Sequence, residues 1–215
     1  MASTPAYIAL FRRREAVDGV ARPEELIHFK YRRDPVSIYM RWRGTEAKDR
    51  ELVYVRNSSE TMIHIAPAPN DTGNLAPQGR RTIVMPDSPQ GLGKDRYAVG
   101  ETGIAGLIER FGRVVDAVER GDPKVGSVKH LGKVKRPECD GPVDAVIHLV
   151  PAGFDSGLPR GGQRIWYFDS VLRFPVLVIT HDDNGQEVEY YHFDNIFFPG
   201  HVRDEEFSPT NLGRR

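Results

Sequence analysis

One dipeptide constrains this chain more than any other feature. Asn184-Gly185 lies between two strand-like runs, Phe174-Pro-Val-Leu-Val-Ile-Thr-His-Asp and Glu187-Val-Glu-Tyr-Tyr-His-Phe-Asp-Asn-Ile-Phe-Phe. Asn-Gly between such runs predicts a two-residue type I′ hairpin, because both central residues of that turn need φ > 0. The turn sets the register. Asp183 then faces Gln186, His181 faces Val188, Ile179 faces Tyr190 and Leu177 faces His192. One face carries Leu177, Ile179, His181, Val188, Tyr190, His192 and Ile196. The other carries Phe174, Val176, Val178, Tyr191, Phe193 and Phe197. Both faces are largely apolar, whereas a sheet wetted on one side alternates apolar and polar residues. This hairpin is therefore expected to be covered on both sides, by a helix, a loop or an apolar ligand.

The rest of the chain repeats the strand pattern. Ala6–Glu15, Glu24–Arg33, Val36–Arg43, Glu51–Arg56 and Thr61–Ala66 read as a meander. Val36, Ile38, Met40 and Trp42 alternate with Ser37, Tyr39, Arg41 and Arg43, which is the period of a strand with one apolar face. Asp18-Gly19 and Asn57–Glu60 read as turns. Strands resume at Val125–Lys135, Val143–Val150, Arg164–Val171 and Arg173–Asp182, with Gly153–Gly162 as a flexible link.

One helix is expected after Thr102, its predicted N-cap. Ile104, Leu107, Ile108, Phe111, Val115 and Val118 form its apolar stripe, and Gly121-Asp-Pro stops it. About ten strands and one helix predict a mainly β (α+β) fold, an antiparallel sheet curled over a central helix. The chain reads as a single β-rich domain over residues 1–215. Residues 67–100 form a long irregular insertion, rich in Pro and Gly, in which only Arg81–Met85 looks extended. Disorder is expected at Pro69–Gly79.

Composition narrows the function classes. Lys+Arg and Asp+Glu both number 30, and this balance argues against a dedicated nucleic-acid binder. A domain of this length buries roughly 70% of its unfolded surface, enough to fold without metal or disulfide staples. Cys139 is the single cysteine, and its neighbours Glu138 and Asp140 disfavour a thiolate. No run of 18 apolar residues marks a transmembrane helix. Met1-Ala-Ser-Thr-Pro leads directly into a strand, so the chain reads as cytoplasmic or as a mature fragment whose leader has been removed.

Signals of catalysis or metal binding are weak. His181 and His192 share a face but stand four rungs apart, about 13 Å at strand rise, too far for one ion. The other histidines lack ligand spacing. Ser88–Lys94 ends in Gly-Leu-Gly-Lys but lacks the leading Gly and trailing Ser/Thr of a phosphate loop. No G-x-S-x-G elbow is present. No cofactor and no metal are expected, and the chain reads as a non-enzyme. An enzyme would require a buried polar cluster around Asp169, His181, His192 or Asp194.

The order of the pieces resembles the LolA-like half-barrels of bacterial outer-membrane lipoprotein carriers. The resemblance rests on Phe11-Arg-Arg-Arg, Asp18-Gly19, Lys30-Tyr-Arg-Arg-Asp-Pro-Val-Ser-Ile-Tyr-Met-Arg-Trp, Phe193-Asp-Asn-Ile and Val202-Arg-Asp-Glu-Glu-Phe-Ser-Pro-Thr. A closer resemblance is to a family of uncharacterised bacterial proteins, often paralogous and usually exported. It is carried by Glu15-Ala-Val-Asp-Gly, Pro35-Val-Ser-Ile-Tyr-Met-Arg-Trp and Thr102-Gly-Ile-Ala-Gly-Leu-Ile-Glu.

These resemblances imply a half-barrel wrapped over a helix, an apolar cavity between them, and a periplasmic or cell-envelope location. Arg33 is the nearest match to a basic residue at the cavity mouth, although Asp34 separates it from Pro35. The N-terminal helix of the carriers has no counterpart here. The implied function is a non-enzymatic binder of a lipid, acyl chain or acylated protein. Its candidate cavity residues are Arg33, Ile38, Met40, Trp42, Ile104, Leu107, Phe111, Tyr190 and Ile196. These residues have the same composition as an ordinary core. A structural or protein-interaction module that uses an apolar face or edge is the alternative.

Overall fold

The computed structural model describes residues 5–56, 61–69, 71, 81–86, 88 and 96–214. The expected turn at Asn57–Glu60, the stretch 72–80 and most of the Ser88–Lys94 motif lie outside these residues. The elements run β1 (Ala6–Val17), β2 (Val20–Ala21), β3 (Glu25–Arg33), β4 (Val36–Trp42), β5 (Glu51–Val55), β6 (Met62–Ala66) and β7 (Thr82–Val84). Helix α1 (Ile104–Glu119) follows, then β8 (Ser127–Val134), β9 (Val143–Val150), β10 (Gly162–Asp169), β11 (Pro175–Asp182) and β12 (Glu187–Phe197). The antiparallel meander, the long helix and the later strands are all where the sequence pattern puts them. The extended piece of the 67–100 stretch is β7, paired to β6 through Ile63–Val84.

The chain divides into two compact units. Unit 1 comprises Met1–Arg12, Glu24–Gly103 and Asp194–Arg215, and unit 2 comprises Arg13–Pro23 and Ile104–Phe193. Strands β1 and β12 contribute residues to both.

In unit 1 the strand order is β7-β6-β5-β4-β3-β1. The register Ile27–Trp42, Phe29–Met40 and Tyr31–Ile38 brings the large apolar side chains to one face. Leu52 and Tyr54 continue that face opposite Met40 and Ile38, and all are buried. Tyr7 stacks on Tyr31 at 5.1 Å, and Phe11 meets Phe29 edge-on at 6.0 Å. Gly103 seats against these rings at φ +94°. A Cβ there would lie 2.5 Å from Tyr7 Oη and 2.7 Å from Phe29 Cζ, so only glycine fits.

The other face of unit 1 was expected to be polar and wet, yet Ser37 is fully buried. The C-terminal segment covers it. Val202, Phe207 and Leu212 pack with Ala6, Val53 and Ala66 into a second core. Lys30 pairs with Glu206 at 2.7 Å, Arg32 with Asp204, and Glu51 accepts the Gly213 N–H at 2.6 Å.

In unit 2 the order from β12 outwards is β12-β11-β10-β9-β8, and α1 packs on β11 and β8. The hairpin differs from the expected type I′ turn. Asp182, not Asp183, pairs with Gln186 (N–H to O, 3.0 Å). Only Gly185 has φ > 0, at +77°. The loop is thus three residues long, a turn closed by Gly185 N–H donating to Asp182 O at 3.1 Å. His181 accordingly faces Glu187, not Val188. A bulge at Val188 then shifts the register back, so Ile179–Tyr190 and Leu177–His192 pair as expected. Pro175–Thr180 and Glu189–Phe193 are buried throughout, as a hairpin covered on both faces requires.

The helix start also differs from expectation. Thr102 closes a 3₁₀ turn at Val99–Glu101, and its hydroxyl donates to Ala98 O at 3.3 Å. The helix begins two residues later. Gly121 ends it at φ +73°, with Asp122 N–H donating to Ala117 O. β8 lies at the end of the order. It carries a bulge between His130 and Gly132 and exposes Lys129 and Lys133, devices that discourage edge-to-edge pairing.

Candidate functional site

The candidate residues fall into separate groups. Arg33, Ile38, Met40, Trp42 and Ile196 belong to unit 1, and Ile104, Leu107, Phe111 and Tyr190 to unit 2. In unit 1, Arg33 is exposed at the end of β3 and Ile196 is half-buried in β12. Ile38, Met40 and Trp42 are core residues. Trp42 donates from Nε1 to Glu25 Oε1 at 2.8 Å, and the Arg50 guanidinium lies 5.2 Å from its ring centroid.

In unit 2 the helix stripe is turned from its expected position. Ile104, Leu107, Val114 and Ala117 are buried. Ile108, Phe111, Val115 and Val118 form a neighbouring half-buried apolar row. Phe111 reaches the sheet through Trp166 at 5.4 Å and Phe168 at 5.0 Å. The register Trp166–Val178–Tyr191 identifies the sheet face that meets the helix. Tyr190 stands on the opposite face, beneath Arg14 at 3.7 Å, with Arg14 also donating to Glu187. The helix residues and Tyr190 are therefore not brought together. That opposite face is met by the segment after β8, where Arg136 lies 5.2 Å from the Tyr167 ring and pairs with Glu138. Burial first, then the Glu138 charge, raise the Cys139 thiol above its ordinary range, as the flanking acids predict.

The helix-side face also holds a buried polar network that sequence reasoning missed. Arg164, Thr180 and Glu189 occupy one row across β10, β11 and β12. Arg164 Nε donates to Thr180 Oγ1 at 3.0 Å and to Glu189 Oε2 at 3.1 Å, while Nη2 donates to Asp155 Oδ2 at 3.0 Å. The hairpin register already placed Thr180 opposite Glu189, and that was the available signal. Asp169, named for an enzymatic cluster, instead accepts the Val171 and Leu172 N–H groups at 2.8 and 2.7 Å.

Beside Arg164 on the next strand stands His148. It is fully buried, with Nε2 2.8 Å from Val125 O. A carbonyl accepts only, so Nε2 carries the proton and Nδ1 the lone pair. Burial, chiefly, holds His148 below its ordinary 6.5. The unfolded chain therefore takes up a proton as pH falls through 6.5 while the native state does not, and stability drops below that pH. His28, also lowered by burial, adds to the same slope. His148→Gln is expected to flatten part of the stability decline between about pH 6.5 and 5, measured by urea unfolding. An unchanged slope contradicts the assignment.

No curated protein matches the chain. Among solved structures it is similar to an uncharacterised conserved protein from Thermus thermophilus, with 9% identity, TM-score 0.52, and coverage of 99% of this chain and 86% of that one. It also matches a putative outer membrane lipoprotein-sorting protein domain from Vibrio parahaemolyticus, with 11% identity, TM-score 0.45, and 99% and 93% coverage. The Mycobacterium tuberculosis lipoprotein LppX matches with 9% identity, TM-score 0.48, and 94% and 91% coverage. The fold class is the expected mainly antiparallel sheet with a long helix, and the Thermus thermophilus protein shares that fold. The model of a family described as a protein of unknown function (DUF1571) matches residues 4–213, and the chain belongs to that family.

Proposed function

We propose that this protein is a non-enzymatic component of the cell envelope that binds an acyl chain, as a lipid or an acylated protein. The observation that carries the reading is the half-buried row Ile108, Phe111 and Val115 beside the buried stripe of α1. A helix packed only for stability buries the full width of its apolar stripe, the i, i+3, i+4 and i+7 positions together. Here one edge of that stripe, Ile108, Phe111 and Val115, stays half-buried, and Phe111 reaches from it to Trp166 and Phe168. An acyl chain laid along that row gains about 0.8 kcal/mol per buried methylene. Ile104 and Leu107 form the floor of the proposed site. The envelope location rests on the family resemblance.

Phe111→Asp is expected to weaken 1-decanol binding at least tenfold in calorimetric titration, while the thermal midpoint moves by only a few degrees. Binding unchanged within twofold overturns the site.

A second reading, a protein-interaction module, is favoured by the β10–β11 turn. Val171 is 87% exposed and Leu172 36%, held at the tip by the Asp169 carboxylate. If this tip pairs copies of the chain, sedimentation velocity will show concentration-dependent association that Val171→Asp with Leu172→Asp abolishes. A monomer at all concentrations removes that pairing.

A further inference from the structure

We infer that unit 2 contains a hydroxyl-binding point, formed by Trp166 Nε1 and His148 Nδ1, that holds the polar end of the bound apolar ligand. This rests on the acyl-chain reading above and deepens it.

Trp166 is 1% exposed and His148 0%. Both polar atoms are buried and make no hydrogen bond. A buried polar group without a partner is destabilising, and two on one sheet face call for a common explanation. Trp166 pairs with Val146 and Arg164 with His148, which puts the indole and the imidazole on the same face of adjacent strands, two residues apart. Diagonal neighbours of this kind lie within reach of long and aromatic side chains.

The two atoms have opposite needs. Indole Nε1–H only donates. His148 Nδ1 only accepts, because Nε2 holds the proton against Val125 O. A hydroxyl oxygen accepts from the first while its proton goes to the second, and one such group serves both. An ionised carboxylate or a phosphodiester has no proton for Nδ1, and an ammonium has no lone pair for Nε1–H. Trp166 also touches Phe111, the residue through which the acyl row reaches the sheet. The Arg164 guanidinium lies 5.9 Å from the Trp166 ring, but its Nε and Nη2 are engaged with Thr180, Glu189 and Asp155. The ligand class is therefore an apolar chain ending in a neutral hydroxyl, such as a long-chain alcohol or an acylglycerol.

The test compares two isomers, 1-decanol and methyl nonyl ether, by calorimetric titration of the full chain. The ether partitions more readily into apolar surroundings, so burial alone favours it. With a hydroxyl point, 1-decanol binds at least tenfold more tightly, and Trp166→Phe and His148→Phe each reduce the ratio to within twofold. If a variant fails to fold, the ratio for the unmodified chain decides alone. Equal binding of the two isomers overturns the hydroxyl point and leaves the acyl reading standing. Binding of neither overturns both.

Discussion

Glu189→Ala is expected to destabilise the protein by about 3–5 kcal/mol, the usual cost of stripping one partner from a buried ion pair. Glu189 and Arg164 are buried side chains in the middle of a sheet. Removing the carboxylate leaves a desolvated guanidinium beside Thr180 and the partly exposed Asp155. The double variant Arg164→Met, Glu189→Leu removes both charges and fills the space with apolar atoms. It should recover most of the loss, because the isolated charge and not the missing attraction dominates the cost. Urea unfolding of the two variants checks this. A Glu189→Ala loss below about 1 kcal/mol would show that water reaches the network.

The second large effect is predicted at the C-terminal segment. Phe207→Ala should cost about 3–5 kcal/mol, the range for a fully buried aromatic. Phe207 is buried against Ala6, Val53 and Ala66, with the Arg32 guanidinium 4.9 Å from its ring. Asp204, which pairs with the same arginine, has a side chain 87% exposed. Asp204→Ala should therefore cost less than about 1 kcal/mol. Thermal unfolding of the two variants separates packing from charge. Equal effects would mean that the segment is held by its ion pairs.

Much of this was legible in the sequence. The alternation of Val36 to Trp42 identified the buried face of β4, and the Asn-Gly signal fixed the partners Ile179–Tyr190 and Leu177–His192. The turn type was wrong and the distal register right, because the longer loop and the Val188 bulge offset one another. Such paired irregularities leave no trace in a period-two pattern. The burial of Ser37 was hidden for another reason. It depends on a segment about 165 residues away along the chain, and periodicity carries no long-range information. The helix stripe was identified but turned, since Ile108, Phe111 and Val115 are as apolar as the residues facing the core. That half-buried row, invisible as an anomaly in the sequence, became the basis of the proposed site. Arg164 and Glu189 were passed over because charged residues in strands are usually solvated. Their shared row followed from the register.

The most direct measurement is mass spectrometry of an organic extract of the protein produced with an export leader. An acyl-binding protein yields a stoichiometric lipid or acylated species, lost on Phe111→Asp. An empty extract, repeated after incubation with lipid, would contradict an acyl-binding function.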